Sequence, residues 1–126
     1  MGGGRSVART KARPPTEKIM KRGSIFWVNL EPTTPPEFGK VRPALVISNS
    51  EQNIRLPTVV ILPISSRAPE IWPLRLGFKM PDGKASFVIL PGIRQVTKAR
   101  LQEMIGLAPP AFLQRVGEAL LVYLRD

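Results

Sequence analysis

The chain has 126 residues, a length typical of one domain with at most one appendage, and its net charge is +10. It contains no cysteine and no histidine, which excludes disulfides, thiolate metal sites, thiol catalysis and the commonest general acid–base side chain. No apolar run approaches the ~18–20 residues that span a bilayer. The N-terminus also lacks a signal-peptide core, so we expect no membrane association and a cytoplasmic location.

The positive charge is concentrated at the N-terminus. Seven of the 19 basic residues lie within the first 22 positions, with one acidic residue and no apolar periodicity. We therefore predict a flexible basic extension over residues 1–20 and one folded domain over residues 21–126. Two interpretations of the extension remain open, namely an arm that binds nucleic acid and a solvated tail without a partner.

The folded part is predicted to be mainly β, with short apolar and β-branched strands bounded by turn residues. The polar segment 48–57 is predicted to be turn-rich, and Pro81-Asp82-Gly83-Lys84 is typical of a hairpin turn. Short strands at this spacing favour a small, curled, barrel-like sheet. The predicted strands are 24–30, 43–48, 58–64, 75–78, 86–90, 92–96 and 104–107.

Strand 43–48 is uniformly apolar, so we expect it to be central and buried on both faces. Trp27, in the middle of the first strand, is expected in the core. A C-terminal helix is predicted to open at Pro109-Pro110, because proline is favoured in the first helical turn. The residues expected to face the core from this helix recur at helical spacing and are Leu113, Val116, Leu120 and Leu124.

Four segments, in order along the chain, resemble the MazF/PemK/Kid family of toxins. Residues 21–33, KRGSIFWVNLEPT, resemble the family's opening RGDIYWVDLDPT, and residues 41–49, VRPALVISN, resemble RPALVISN. Residues 59–66, VVILPISS, resemble VIVAPITS, and residues 93–101, IRQVTKARL, resemble IRTVDKSRL. One such match is weak evidence, whereas four with similar spacing over residues 21–125 make a specific resemblance.

The resemblance implies an α+β fold with a small SH3-like β-barrel of the MazF/CcdB/Kid type and a C-terminal helix. It implies a homodimeric, sequence-specific, metal-independent endoribonuclease that cuts single-stranded RNA and needs no cofactor. It also implies a toxin–antitoxin module, whose antitoxin presents an acidic, flexible segment to the toxin's RNA groove.

Three residues are the candidate catalytic groups. Arg42 matches the family's active-site arginine, and a guanidinium suits bidentate stabilisation of a phosphorane. Pro43 restricts the backbone of Arg42 to extended conformations. Glu37 matches the glutamate of the family's GSEQ loop and is expected to orient Arg42 or act as the base, while Ser65 retains a hydroxyl where the family usually has threonine. The alternatives are an Arg42–Glu37 surface ion pair and loop side chains without a catalytic role.

A second set of residues is predicted to bind RNA. Phe38, in the loop, is preferred over Trp72 for stacking on unpaired bases. The polar and basic candidates for contact with phosphate or sugar are Lys40, Ser66, Arg67, Arg94, Lys98 and Arg100. The alternative for the basic residues is a solvated surface.

The chain departs from the family pattern in two places besides Ser65. Pro91-Gly92 replaces an acidic residue and glutamine, and Glu31 replaces an aspartate. Two other functions therefore remain open, namely a CcdB-like toxin that binds DNA gyrase without nuclease activity, and a catalytically inactive RNA-binding barrel.

Overall fold

The computed structural model describes residues 20–37 and 39–126. Two 3₁₀ turns, Leu90–Gly92 and Lys98–Arg100, lie on either side of the sixth strand. The regular elements are β1 (Ser24–Asn29), β2 (Val41–Val46), α1 (Ser50–Arg55), β3 (Thr58–Ser65), β4 (Arg75–Lys79), β5 (Ala85–Ile89), β6 (Arg94–Thr97), β7 (Leu101–Leu107) and α2 (Pro110–Tyr123).

Within residues 20–37 and 39–126, seven strands form one antiparallel sheet in the order β4-β5-β3-β2-β1-β7, with β6 beside β3. Strand β3 has three partners, because β2 pairs along one of its edges, while β6 and then β5 pair along the other. Among the described residues, β4 and β7 at the ends of this path are not paired with each other, so the sheet is not closed. The predicted fold class, mainly β with a C-terminal helix, is confirmed.

Two apolar cores lie on opposite faces of the sheet. Leu45 of β2 belongs to one core, while its neighbours Ala44 and Val46 belong to the other, and all three are fully buried. This alternation follows from the period of two along a strand. It confirms the prediction that this strand is central and buried on both faces.

Helix α2 covers the first core. Phe112, Val116 and Ala119 are buried, and the Phe112 ring stacks on Phe78 with 4.4 Å between centroids. Leu113 and Leu120 are only partly buried. The placement of Leu124 in the core is wrong, since the helix ends at Tyr123 and Leu124 is 65% exposed.

Two further predictions are corrected. The turn-rich segment 48–57 contains α1, whose first N–H groups, those of Glu51 and Gln52, bond to the side chain of Asn49. A helix of six residues is too short to show apolar periodicity. The assignment of Trp27 to the core is also wrong, because Trp27 is 41% exposed, whereas its neighbours Phe26 and Val28 are buried.

The N-terminal part of the described chain is fixed to α1. Buried Asn53 donates from Nδ2 to the carbonyls of Met20 (2.6 Å) and Ser48 (3.1 Å), and Met20 is only 4% exposed. The rest of the predicted extension lies outside the described residues, so its division from the domain stays a prediction. Neither helix in the described part of the chain is long and apolar enough to cross a membrane.

Candidate active site

Arg42 lies near the start of β2, directly after the proline-rich loop formed by residues 31–40. It pairs in register with Val28 of β1, so its backbone belongs to the sheet. Its side chain is half-buried, and its Nε donates to the carbonyl of Gly39 at 3.1 Å. The strand and this hydrogen bond together fix the direction of the guanidinium.

Glu37 lies in the same loop and is exposed. Its Oε1 accepts the N–H of Thr34 at 3.0 Å, while its own N–H donates to the carbonyl of Thr34 at 2.9 Å. These reciprocal bonds close a turn and hold the carboxylate toward the surface. A carboxylate held in this way can accept a proton from a hydroxyl group of a bound molecule.

Ser65 is the last residue of β3, where it pairs with Phe87 of β5. Its Oγ accepts the N–H of Arg67 at 3.1 Å, and the carbonyl of Arg67 accepts from Nη1 of Arg75 at 3.1 Å. Because the Ser65 hydroxyl accepts this bond, its own proton stays available for donation.

The structure brings these three residues together. Glu37, Arg42 and Ser65 line one surface cleft of about 310 Å³, with Arg67 and Arg75 completing its wall. Three arginines and one glutamate therefore line the same cleft, and an excess of positive charge there suits a phosphate group. Sequence reasoning missed Arg75, which the antiparallel pairing of β4 with β5 carries to this cleft.

Two more clefts share walls with the first. One, of about 480 Å³, shares Pro36 and Glu37 and is lined by the Pro91-Gly92 turn and Arg94. The other, of about 440 Å³, shares Arg42, Ser65 and Arg67. The shared residues arrange the three clefts in a row, with the cleft around Arg42 in the middle.

Two predicted RNA-binding residues, Ser66 and Arg67, are exposed and line this row. Arg94 lines the 480 Å³ cleft while its Nη1 donates to the carbonyl of Leu30 at 3.3 Å. Arg100 instead reaches the start of the loop, where its Nη1 donates to the carbonyls of Asn29 (3.1 Å) and Glu31. Both arginines therefore support the backbone from which the loop departs.

The remaining candidates are placed less directly. Lys40 has a left-handed backbone (φ 65°), and its N–H donates to Oε2 of Glu31 at 2.5 Å. Lys98 lies in a 3₁₀ turn and donates its N–H to the carbonyl of Pro57. Neither lines the three clefts. Phe38 lies outside the described residues, and RNA contact by any residue of this set stays a prediction.

An ion pair ties the segment before β4 to helix α2. Nη2 of Arg115 lies 2.6 Å from Oε2 of Glu70, and Oε1 of Glu70 also accepts the N–H of Gly77 at 2.9 Å. The hydrogen bond from Arg115, and then that from Gly77, lower the pKa of Glu70, while Glu70 raises the pKa of Arg115. The Arg115 guanidinium also lies 5.6 Å from the ring centre of Trp72. This cluster stands apart from the three clefts.

The residues that the structure describes contain no group of three or more side chains suited to hold a metal ion. The polar side chains that line the central cleft are arginine, carboxylate and hydroxyl groups. Charge stabilisation by guanidinium groups is the strongest contribution that such a set offers to a reaction at phosphorus.

Comparison with known proteins gives a consistent result. Residues 21–124 match the family model of PemK-like, MazF-like toxins of type II toxin–antitoxin systems. The chain is 32% identical to Endoribonuclease EndoA of Bacillus subtilis, across 84% of this chain and 95% of that protein.

Crystal structures of related proteins share the fold. MazF from Deinococcus radiodurans superimposes with a TM-score of 0.73 at 27% identity, covering 84% of this chain and 96% of that one. A MazE–MazF structure from the same organism gives a TM-score of 0.66 at 25% identity, covering 84% and 95%. The chain therefore belongs to the PemK-like, MazF-like toxins of type II toxin–antitoxin systems.

Proposed function

We propose that this protein is a metal-independent endoribonuclease that cleaves single-stranded RNA at specific sequences and acts as a toxin in the cytoplasm. The observation that carries the proposal is the meeting of Arg42, Glu37 and Ser65 in one cleft. The relationship to the B. subtilis endoribonuclease supports it. Membership of the MazF-like family favours this function over a gyrase-binding toxin or an inactive RNA-binding barrel.

The proposed reaction is attack of a ribose 2′-oxygen on the adjacent phosphorus. The 2′-O–P bond forms, the P–O5′ bond breaks, and the chain is left with a 2′,3′-cyclic phosphate and a free 5′-hydroxyl. One proton must leave the 2′-hydroxyl and another must reach the departing O5′. The transition state gains charge on the phosphoryl oxygens, which is where a fixed guanidinium contributes most.

We assign roles by position in the cleft. Arg42 stabilises the charge on the phosphoryl oxygens, because the sheet and Gly39 fix its direction. Glu37 is the candidate base, since its carboxylate is held at the cleft. Ser65 donates a hydrogen bond to a phosphate oxygen, and Arg67 and Arg75 attract the polyanion.

The partner follows from the same charges. We propose that a cognate antitoxin places an acidic, flexible segment across the arginines of the central cleft, where it competes with RNA. The MazE–MazF structure of D. radiodurans, which shares this fold, supports such a partner. We also expect the homodimer that the family resemblance implies.

The test is to incubate the purified protein with a long single-stranded RNA in the presence of EDTA and to map the 5′ ends produced. We expect discrete cuts at a repeated short sequence. Arg42→Ala should lower the rate by roughly 10²–10³-fold, the usual effect of removing one transition-state donor. Arg55→Ala is the matched control, because Arg55 is an exposed cation paired with Glu51 on α1.

Three outcomes would contradict the proposal. Undigested RNA with the wild-type protein would refute the nuclease assignment. Full activity in Arg42→Ala would remove Arg42 from the reaction. Strong inhibition by EDTA would show that a metal ion takes part.

A further inference from the structure

The exposure of Trp27 is the feature that the proposed catalytic groups leave unexplained. Ile25 and Trp27 lie on the same face of β1, since side chains alternate along a strand. Ile25 is fully buried beneath α2, whereas Trp27 is 41% exposed. Their partners on β2 behave alike, with Leu45 opposite Ile25 buried and Pro43 opposite Trp27 only half-buried. The apolar core therefore ends between these two rows, and Trp27 lies just beyond it.

Trp27 lines one of the three clefts, next to other apolar side chains. The cleft of about 440 Å³ has an apolar surface made by Trp27 with Pro43 and Ile64 of the neighbouring strands. Met80 and Ile105 extend this apolar surface. A flat aromatic group with apolar surroundings and one open side is the arrangement on which an unpaired base stacks.

The polar side of this cleft is shared in part with the central cleft. Arg42, Ser65 and Arg67 line both spaces, while Ser66, Asp82, Lys84 and Ser86 line only the cleft beside Trp27. A nucleotide whose base lies over Trp27 would therefore keep its phosphate next to the proposed catalytic groups.

We propose that Trp27 is a stacking platform for one base of the RNA, the base of a nucleotide next to the phosphate that is cut. The proposal rests on the proposed function, because it assigns a base position to the same groove. Stacking uses the aromatic face that every base has. Trp27 therefore strengthens binding of all sequences, and the reading of sequence falls to other residues.

The first experiment uses tryptophan fluorescence, since Trp27 and Trp72 are the two tryptophans of the chain. Trp72 is a matched comparison because it is 46% exposed but lies outside the three clefts. Trp72→Phe leaves only Trp27 to report, and Trp27→Phe leaves only Trp72. Each variant is titrated with a mixed-sequence 2′-O-methyl RNA, whose blocked 2′-oxygen prevents cleavage.

We expect saturable quenching of Trp27 emission in Trp72→Phe and little change of Trp72 emission in Trp27→Phe. An unchanged Trp27 signal at saturating RNA would overturn the proposal. Quenching of Trp72 alone would place the stacking surface beside Arg115 instead, and would overturn it equally.

The second experiment measures RNA affinity directly. Trp27→Ala should weaken binding roughly 5- to 140-fold, the range that corresponds to the loss of one base stack. Trp27→Phe should keep most of the RNA affinity. Trp27→Leu should weaken binding as Trp27→Ala does, because leucine supplies apolar area without an aromatic face. Circular dichroism and thermal unfolding identify any variant that does not fold, and Trp27→Phe and Trp27→Leu keep the comparison informative if Trp27→Ala fails.

The outcomes separate this inference from the proposed function. RNA cleavage with wild-type affinity in Trp27→Leu refutes the platform and leaves the nuclease intact. Quenching of Trp27 without any cleavage by the wild type supports the platform and refutes the nuclease. Absence of RNA binding by the wild type refutes both.

Discussion

Arg100 is a basic residue predicted from the sequence to contact RNA phosphate, but in the structure its guanidinium binds backbone carbonyls. Its Nη1 donates to the carbonyls of Asn29 and Glu31, at the end of β1 where the loop departs. Hydrogen bonds to charged groups contribute ~1.5–3 kcal/mol each. Because the site is partly exposed, we expect Arg100→Ala to lower the free energy of unfolding by about 2 kcal/mol.

For a domain of this size, that loss corresponds to a fall in melting temperature on the order of 8 °C. Thermal or urea unfolding measures this loss of stability. Arg55→Ala is the control, since it removes an exposed cation paired with Glu51 on α1 and should change the free energy of unfolding by less than about 0.5 kcal/mol. RNA binding is then measured against salt. Loss of one phosphate contact would reduce the slope of log K against log salt by ~0.7. A reduced slope with unchanged stability would refute the structural role and restore Arg100 as an RNA-binding residue.

Three other changes test neighbouring parts of the structure. Glu70→Gln should cost ~0.5 kcal/mol at pH 7, because the Glu70–Arg115 pair is about 40% exposed. Folding lowers the pKa of Glu70, so the stability difference between Glu70→Gln and the wild type should be complete above the ordinary pKa of 4.5 and should disappear as the pH falls further. A stability difference that stays constant over this pH range would contradict the prediction. Ser65→Ala should slow RNA cleavage roughly tenfold, which is the effect of one lost hydrogen bond to phosphate, whereas Ser65→Thr should keep the wild-type rate. Equal cleavage rates for Ser65→Ala and the wild type would limit the role of Ser65 to its hydrogen bond with the N–H of Arg67. Removal of residues 1–18, which spares buried Met20, should weaken RNA binding chiefly at low salt if the basic extension is an arm, and an unchanged salt dependence would identify a tail.

Strands with a consistent apolar pattern were predictable from the sequence. Strand β2 has three consecutive apolar residues, Ala44, Leu45 and Val46, and both faces are buried as expected. The hairpin between β4 and β5 follows from its turn, where Gly83 has a positive φ of 90°. Helix α1 was not predictable, because its six residues hold together through the Asn49 cap and the buried Asn53 rather than through an apolar stripe.

The candidate site was only partly predictable. Arg42, Glu37 and Ser65 come from the resemblance, and their meeting in one cleft depends on the loop and on the β2–β3 pairing. Nothing in the sequence around Arg75 or Trp27 predicts that either residue lines the site. An arginine at a strand start is common, and an aromatic residue within an apolar strand usually belongs to the core. Trp27 lies outside because the core beneath α2 ends one row before it, which is a property of packing rather than of the strand's own pattern.

The loop that carries Glu37 is fixed at both ends. The N–H of Leu30 donates to the carbonyl of Lys40 at 2.9 Å, and Glu31 accepts the N–H of Lys40. Arg94 and Arg100 hold the carbonyls at its start, and Arg42 holds Gly39 at its end. Adding a Cβ at Gly39 would place it 2.5 Å from Oε2 of Glu31, so a larger residue there would require the Glu31 carboxylate to leave its position beside Lys40.

Such a loop brings the carboxylate and the guanidinium to the cleft before any ligand arrives. Groups fixed in advance stabilise a transition state without the cost of rearrangement, which is the main advantage of an electrostatic site. The same property makes the site easy to block. An acidic segment that pairs with Arg42, Arg67 and Arg75 would find the arginines already in place and would exclude a phosphate simply by occupying their cleft. Inhibition by the antitoxin therefore requires no distortion of the toxin fold, and we expect it to weaken with added salt in parallel with RNA binding.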